Sequence, residues 1–449
     1  MKPKVALIGG GLAGCEAAWQ LHRAGVNVAV YEMKPQRYSP AHSNPNLAEL
    51  VCSNSFRSDV LCSAPGLLKS EMRRLDSLIM AAAEKARVPA GKALAVDRAE
   101  FAASITDQLD QARDVDLIRR EIASLSDPVL SAYSRVIVAA GPLASPELTS
   151  SLLQWTKEQG LSFYDAIAPI VSADSINWDR VFWGSRYDPE SRDYLNCPLN
   201  EEEYHALRHG LLTGERVLSK DFENQVHFEG CLPVETMAER GEMTLAFGPL
   251  KPVGLTDPRT GERPFAVVQL RAENKEKTMF NLVGFQTKLT YAEQKRFFRL
   301  IPGLEQAEFL RLGSIHRNTF VHAPRVLTPN LELKKAPGVF LAGQITGVEG
   351  YIESAACGLW LGLHLGQNVP LPPEETALGG LLNHLRKPED NFQPMNVNFG
   401  LLPPLKGRMK KAKRKEAYVH RAQAAFEEWM GGMGQEAMGS VRCSARKES

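Results

Sequence analysis

The sequence has no cysteine pattern, no surplus of one charge and no long apolar run. Its seven cysteines are odd in number and include no Cys-x-x-Cys pair, so neither a disulfide framework nor a zinc site is indicated. Basic residues number 53 and acidic residues 52, so a polyanionic partner would have to bind a local patch. No run approaches the about 18 apolar residues of a membrane span, and no apolar segment follows a basic start. These absences predict a cytoplasmic protein that binds neither membrane nor metal.

The composition is that of a globular protein with more than one domain. Apolar residues make up 44% and charged residues 23%, which is ordinary usage. At about 150 residues per domain, the length predicts two or three domains. Residues 1–150 and 311–430 are predicted to form one Rossmann-like α/β domain, and 151–310 an inserted mixed α+β domain. The last residues, 431–449, are predicted to form a flexible tail.

A glycine pattern near the N-terminus predicts a dinucleotide site. Gly9, Gly11 and Gly14 have the Gly-x-Gly-x-x-Gly spacing, directly after a predicted strand and at the start of a predicted helix. Gly9 would permit the tight turn, Gly11 the approach of a pyrophosphate, and Gly14 the close packing of helix on strand. Glu32, at the end of the next predicted strand, can accept a hydrogen bond from a ribose hydroxyl. The alternative is a glycine-rich turn that binds nothing.

Two more predicted strands end in glycine. Gly141 follows the strand at 135–139, and Gly343 follows the strand at 339–341. Such endings are expected where distant segments close over one extended FAD, but an ordinary turn fits equally well. The residues alone leave open whether the dinucleotide is FAD or NAD.

Two of the cysteines, Cys52 and Cys231, lie in polar or turn-like segments. Cys52 lies in Leu50–Ser55, and Cys231 follows a glycine and shortly precedes a proline. A free thiol with a pKa of about 8.5 is only a few percent ionised at neutral pH. A nucleophilic cysteine therefore needs a nearby base, cation or helix N-terminus, and no such partner is evident in the sequence. The alternative for each is a small buried apolar residue.

His316, Arg317 and Asn318 place a planar ring, a guanidinium and an amide next to one another. This cluster suits a flat, anionic heterocycle such as folate. A solvated loop is the alternative.

A basic segment near the C-terminus is a candidate RNA contact. Residues 406–415 include seven lysines or arginines and no acid. Such a run can bind several phosphates, although a solvated helix face fits as well. The candidate contacts are Lys410, Lys411, Lys413 and Arg414. Beyond the run, apolar residues at helical spacing predict a helix that docks on the body of the protein: Tyr418, Ala422, Ala425, Phe426 and Trp429.

Taken together, several segments resemble one known family. They are residues 9–14, 50–55, 93–98, 228–235, 284–290, 316–319 and 343–351. They are similar to the bacterial folate- and FAD-dependent tRNA (uracil-5-)-methyltransferases. The likeness extends from residue 1 to about 430, and the segments around Cys52 and Cys231 are its most specific part.

The resemblance implies a Rossmann-like FAD-binding domain with an inserted domain, and an enzyme that uses FAD, 5,10-methylenetetrahydrofolate and NAD(P)H. Its product would be 5-methyluridine in the T-loop of tRNA. By the same likeness Cys231 would attack C6 of uracil. Cys52 would be its partner near the flavin and is the candidate for the base, with the two roles open to exchange.

The resemblance also assigns binding residues. His316 would stack on the pterin ring, with Arg317 and Asn318 lining that pocket. The residues expected near the flavin are Gly343, Gln344, Tyr351 and Glu353.

Four other functions stay open on the sequence. One is a flavoprotein that installs carboxymethylaminomethyl groups on wobble uridines, and another is the same methylation on ribosomal RNA. The others are a small-molecule flavin oxidoreductase and a flavin-containing RNA-binding protein without methylation activity.

Overall fold

The computed structural model describes residues 4–156, 161–186, 188, 190–217, 232–390, 392–407 and 410–444. Its strands are β1 (Lys4–Ile8), β2 (Asn27–Tyr31), β3 (Ser55–Ser58), β4 (Arg87–Val88), β5 (Ala93–Val96), β6 (Val115–Ile118), β7 (Arg135–Val138), β8 (Leu161–Ala166), β9 (Ile170–Ser172), β10 (Phe182–Gly184), β11 (Tyr194–Leu199), β12 (Ala266–Ala272), β13 (Met279–Leu282), β14 (Phe309–Arg311), β15 (Ile315–Phe320) and β16 (Val339–Leu341). Its helices are α1 (Leu12–Arg23), α2 (Ala64–Arg74), α3 (Leu78–Lys85), α4 (Arg98–Asp110), α5 (Pro146–Thr156), α6 (Glu201–Thr213), α7 (Val234–Glu239), α8 (Thr244–Phe247), α9 (Tyr291–Phe298), α10 (Ala323–Val326), α11 (Tyr351–Gln367), α12 (Ala377–His384) and α13 (Lys411–Ser444).

A parallel sheet joins the two ends of the chain. Its strand order is β16-β7-β1-β2-β6, and all four pairings are parallel. These strands are nearly continuous apolar runs because helices cover the sheet, with α1 packed against α11. Since β16 belongs to the same sheet as β1, residues far apart in sequence share one core, which confirms the predicted Rossmann-like α/β fold.

A second, antiparallel sheet lies within residues 170–311. Its order is β10-β11-β12-β13-β9-β14, and it has a hydrophobic core of its own. A two-stranded ribbon of β8 and β15 is separate from both sheets. The second sheet begins inside the predicted inserted domain, 151–310, and its last strand, β14, ends one residue beyond it, while the division of the chain into domains stays a prediction.

The C-terminal helix α13 docks as predicted. Val419, Ala422, Phe426 and Trp429 belong to the main hydrophobic core. Glu427 on the same helix forms an ion pair with Arg74 of α2. The helical backbone continues to Ser444, past the domain edge predicted at 430, and the flexibility of 431–449 stays a prediction. Among the described helices, none is both long and apolar enough to cross a bilayer.

Candidate active site

A cavity opens where the parallel strands end. Its volume is about 1090 Å³, including the part open to solvent. The carboxyl end of a parallel sheet is where α/β proteins bind ligands. Seven of the predicted site residues line it together: Gly9, Gly11, Glu32, Gly141, Gly343, Gln344 and Tyr351.

The three glycines of the first turn have different surroundings. Gly9 has φ +104°, and a Cβ there would lie 2.6 Å from the carbonyl oxygen of Ala139. A Cβ on Gly14 would lie 2.0 Å from the carbonyl oxygen of Gly9. A Cβ on Gly11 would meet no protein atom closer than 4.0 Å. Gly9 and Gly14 are therefore needed to form the turn itself, whereas Gly11 leaves open space beside the cavity.

Glu32 supports the same turn. Its Oε2 accepts a hydrogen bond from the backbone N–H of Gly10 at 2.7 Å, and its Oε1 accepts from that of Lys34 at 2.9 Å. The side chain also lines the cavity. The carboxylate thus positions the glycine turn, and its contact with a ribose stays a prediction.

Tyr351 connects the cavity to Cys52. The Tyr351 hydroxyl accepts hydrogen bonds from the backbone N–H groups of Cys52 at 2.8 Å and Ser53 at 3.2 Å. The same oxygen lies 3.1 Å from Cys52 Sγ. Burial, and then the neighbouring Cys52, raise the pKa of the Tyr351 phenol well above its usual value, so the phenol keeps its proton and can donate it to the sulfur. The structure brings Cys52 and Tyr351 together, although they are far apart in the chain.

We expect Tyr351→Phe to weaken the Cys52 segment. The substitution leaves the half-buried N–H groups of Cys52 and Ser53 without their shared acceptor, and about 1–3 kcal/mol for a fully buried group sets the upper bound for each. Thermal unfolding of the variant would measure the loss, and the rate of Cys52 alkylation by iodoacetamide should change at the same time. Tyr418→Phe is the control, since Tyr418 packs on Phe399 in a different part of the protein. A Tyr351→Phe variant with unchanged stability and unchanged alkylation would contradict this account.

Basic side chains that the sequence analysis did not single out surround Cys52. Arg98 Nη1 donates to the carbonyl oxygen of Leu50 at 2.9 Å. Arg271, from β12 of the second sheet, donates to Ser53 Oγ at 2.9 Å and to Asn54 Oδ1 at 2.8 Å. Arg98 ends one of the family-like segments, but nothing in the local sequence of Arg271 marks it. The Cys52 segment is therefore held by cations from both parts of the chain.

His42 is a second residue that sequence reasoning missed. It lines the cavity, and its Nδ1 lies 2.5 Å from Ser39 Oγ. Burial, followed by the positive charge of Lys34, lowers the pKa of His42. The imidazole is therefore neutral at neutral pH. Its segment has no recognisable motif, so no sequence signal could have found it.

The predicted folate cluster lies on β15. His316 is half-buried, with Nε2 2.9 Å from Ser314 Oγ. Burial, and then Arg311, lower the pKa of His316, which keeps the ring neutral. Asn318 is buried two residues further along the strand and so lies on the same face as His316. The side chain of Arg317 lies outside the described part of the structure, and the stacking of His316 on a pterin stays a prediction.

Glu353 does not line the cavity with Tyr351. It is fully buried in α11, where its Oε1 accepts from the backbone N–H of Val397 at 3.0 Å and from Arg57 Nη1 at 3.3 Å. In this structure the carboxylate of Glu353 anchors the backbone at Val397 to the helix. A position of Glu353 near the flavin stays a prediction.

The remaining predicted residues are placed only in part. Cys231 lies outside the described residues, as does the side chain of Lys411. Lys410, Lys413 and Arg414 are exposed at the start of α13. Within the described ranges, no group of three or more His, Cys, Asp or Glu side chains could hold a metal ion.

Known proteins are similar to this chain in sequence and in fold. The family model "Glucose inhibited division protein A" matches residues 4–370. A protein of Oleidesulfovibrio alaskensis named methylenetetrahydrofolate–tRNA-(uracil-5-)-methyltransferase TrmFO is 61% identical, over 94% of this chain and 96% of its own. The chain belongs to the TrmFO family.

Other comparisons agree with membership of the TrmFO family. A TrmFO protein of Geobacter sulfurreducens is 56% identical over 96% of this chain and 99% of its own. The solved structure of Aquifex aeolicus GidA has a TM-score of 0.66 at 15% identity, over 98% of this chain and 77% of that one. At this identity the likeness to GidA concerns the fold, and it agrees with the Rossmann-like domain described above.

Proposed function

We propose that this protein transfers the one-carbon unit of 5,10-methylenetetrahydrofolate to C5 of the T-loop uridine of tRNA, with FAD as cofactor and NAD(P)H as reductant. The observation that carries this proposal is the 61% identity, over 94% of the chain, to a protein named for the reaction. The cavity beside Cys52 and Tyr351 supplies a site of the required kind.

The residues of the cavity fit FAD. Gly9 and Gly14 form a turn too tight for any other residue, and Gly11 leaves room for a pyrophosphate at the N-terminus of α1. Glu32 and Tyr351 line the same cavity and would border the bound cofactor. When bound, FAD supplies the redox chemistry of the one-carbon transfer.

The thiols would activate the uracil. C5 of uracil becomes nucleophilic once a thiolate adds to C6, and a base must then remove the C5 proton so that the thiolate can leave. We assign the addition to Cys231 and the proton removal to Cys52. Arg98 and Arg271 bind the residues flanking Cys52, and nearby cations favour a thiolate over a thiol. Tyr351 would hold Cys52 in place through its hydroxyl.

The direct test is to incubate the FAD-loaded protein with unmodified tRNA, methylenetetrahydrofolate and NADPH. We expect 5-methyluridine in the T-loop. Absence of the product with folded, FAD-loaded protein would refute the proposal. Methylation of ribosomal RNA instead would keep the chemistry and change the substrate.

We further propose that α13 presents a tRNA contact. Replacing Lys410, Lys411, Lys413 and Arg414 with alanine should weaken tRNA binding and flatten its salt dependence, because each phosphate contact releases counterions. Binding measured at several salt concentrations would give the slope for the variant and for wild type.

A matched control for this prediction is the pair Lys295→Ala and Arg296→Ala on α9, where both residues are exposed. The control should bind tRNA with the wild-type slope. If the α13 variant also kept the wild-type slope, the RNA surface would lie elsewhere.

Because its substrate would be tRNA, we propose that the protein works in the cytoplasm.

A further inference from the structure

Three arginines form a cluster around the Cys52 segment. This guanidinium cluster consists of Arg98, Arg271 and Arg311. The first two bind residues on either side of Cys52, as described above. Arg311, at the end of β14, interacts electrostatically with Arg98, Tyr351 and Cys52. The cluster thus adjoins the cavity wall where Tyr351 lies.

In the part of the chain that the structure describes, the cluster carries more positive charge than its partners neutralise. Arg98 Nε lies 2.6 Å from the carboxylate of Glu273. Arg271 is 8% exposed, and its hydrogen-bond acceptors are the neutral side chains of Ser53, Asn54 and Asn281. Within the described ranges, neither Arg271 nor Arg311 forms a salt bridge. Among the described residues, and even with Cys52 ionised, the three guanidinium groups would face one thiolate, the carboxylate of Glu273 and that of Glu49, which already pairs with Lys34.

Arg311 has the fewest partners of the three. It is half-buried, and its one hydrogen bond among the described residues is a long contact of 3.4 Å from Nη2 to the carbonyl oxygen of Ala41. Glu49 acts on it electrostatically, but Glu49 already pairs with Lys34 at 3.2 Å. Burial, and then Arg98, lower the pKa of Arg311, as expected for a cation without full compensation. Most of the donors of this guanidinium have no hydrogen-bond acceptor among the described residues.

Arg311 also acts on residues of both predicted binding regions, the folate cluster and the cavity. It acts electrostatically on His316 of the predicted folate cluster and on His42 of the cavity wall. A partly buried, under-compensated charge is costly unless an anion binds it. A planar guanidinium with free donors matches the two oxygens of a phosphate or a carboxylate.

We propose that Arg311, supported by Arg98 and Arg271, binds an oxyanion of a substrate. This oxyanion is a phosphate next to the target uridine or the glutamate carboxylate of folate, which share the chemistry that a guanidinium recognises. The choice of these two sources rests on the proposed function, whereas the surplus of positive charge does not.

The test compares charged and uncharged forms of each ligand on FAD-loaded wild-type and Arg311→Gln proteins. The RNA pair is a T-arm stem-loop with either normal phosphates or an uncharged methylphosphonate at each position flanking the target uridine in turn. The folate pair is tetrahydrofolate and tetrahydropteroate, which lacks the glutamate. In one of the two pairs, the wild type should bind the charged ligand about 10- to 100-fold more tightly than the uncharged one. Arg311→Gln should bind both with similar affinity.

The outcomes are distinct. Loss of the RNA preference assigns the phosphate, and loss of the folate preference assigns the carboxylate. If Arg311→Gln keeps the wild-type preference for both pairs, or wild type prefers neither charged form, the proposal is wrong. A third outcome separates the two proposals. If the wild type makes no 5-methyluridine, but Arg311→Gln loses a preference for the charged ligand that the wild type has, the proposed function fails and the oxyanion site stands.

Two variants control for structural damage. Arg311→Lys keeps the charge without the planar fork and should retain an intermediate preference, with FAD absorbance and melting temperature like those of wild type. Arg296→Gln removes an exposed arginine of α9 and should keep the full preference.

Discussion

Replacing Cys231 with alanine is expected to lower the rate of uridine methylation by about 10³-fold or more, as for other enzymes that lose a nucleophile. The reason is chemical: without addition at C6, C5 of uracil has too little electron density to accept the one-carbon unit. The variant should also fail to form a covalent complex with RNA that contains 5-fluorouridine, which a denaturing gel would show. FAD should remain bound, because the glycine turn and Glu32 that line the cavity are unchanged.

Cys52→Ala is the matched comparison. If Cys52 is the base, this variant should still form the covalent complex with 5-fluorouridine RNA, because addition at C6 does not need the base. With unmodified tRNA it should also add at C6 but should not release 5-methyluridine, since the proton on C5 is not removed. If Cys231→Ala still traps the RNA and Cys52→Ala does not, the two roles are exchanged. If both variants methylate tRNA normally, neither thiol takes part.

The part of the site that could be predicted from sequence is the part built by short-range geometry. The spacing of Gly9, Gly11 and Gly14 between a strand and a helix specifies a turn, and the structure has that turn at the end of β1. Gly141 and Gly343 also end strands of the same sheet, so they meet at one cavity. The carboxyl ends of parallel strands lie at the same edge of the sheet, whatever the length and structure of the chain between them.

The part that could not be predicted depends on contacts between distant segments. Arg98, Arg271 and Arg311 come from a helix start and two strands of a different sheet, and no local pattern relates them. Glu353 is next but one to Tyr351 in the sequence, but in helix α11 such neighbours point in different directions. That geometry explains why Tyr351 lines the cavity while Glu353 holds Val397.

Alanine at Gly14 and alanine at Gly11 are expected to fail in different ways. At Gly14 the new methyl group would lie 2.0 Å from the carbonyl oxygen of Gly9 and 2.9 Å from Leu7 Cδ2, so the turn must shift. Overpacking of this kind costs about 1–3 kcal/mol or more, and Gly14→Ala should lower the melting temperature even without FAD. At Gly11 the nearest protein atom would be 4.0 Å away, so the apoprotein should fold with wild-type stability.

The expected defect of Gly11→Ala is in FAD binding, because the methyl group occupies space that a pyrophosphate would need. If the bound cofactor is overpacked to the same degree, its affinity falls by about 5- to 150-fold. Titration of the apoprotein with FAD, followed by flavin fluorescence, would measure this. Gly432→Ala on α13 is the control, since a Cβ there meets nothing within 4 Å and alanine favours a helix. Wild-type FAD affinity in Gly11→Ala would mean that the dinucleotide does not approach this turn, and the fit between the cavity and FAD would have to be abandoned.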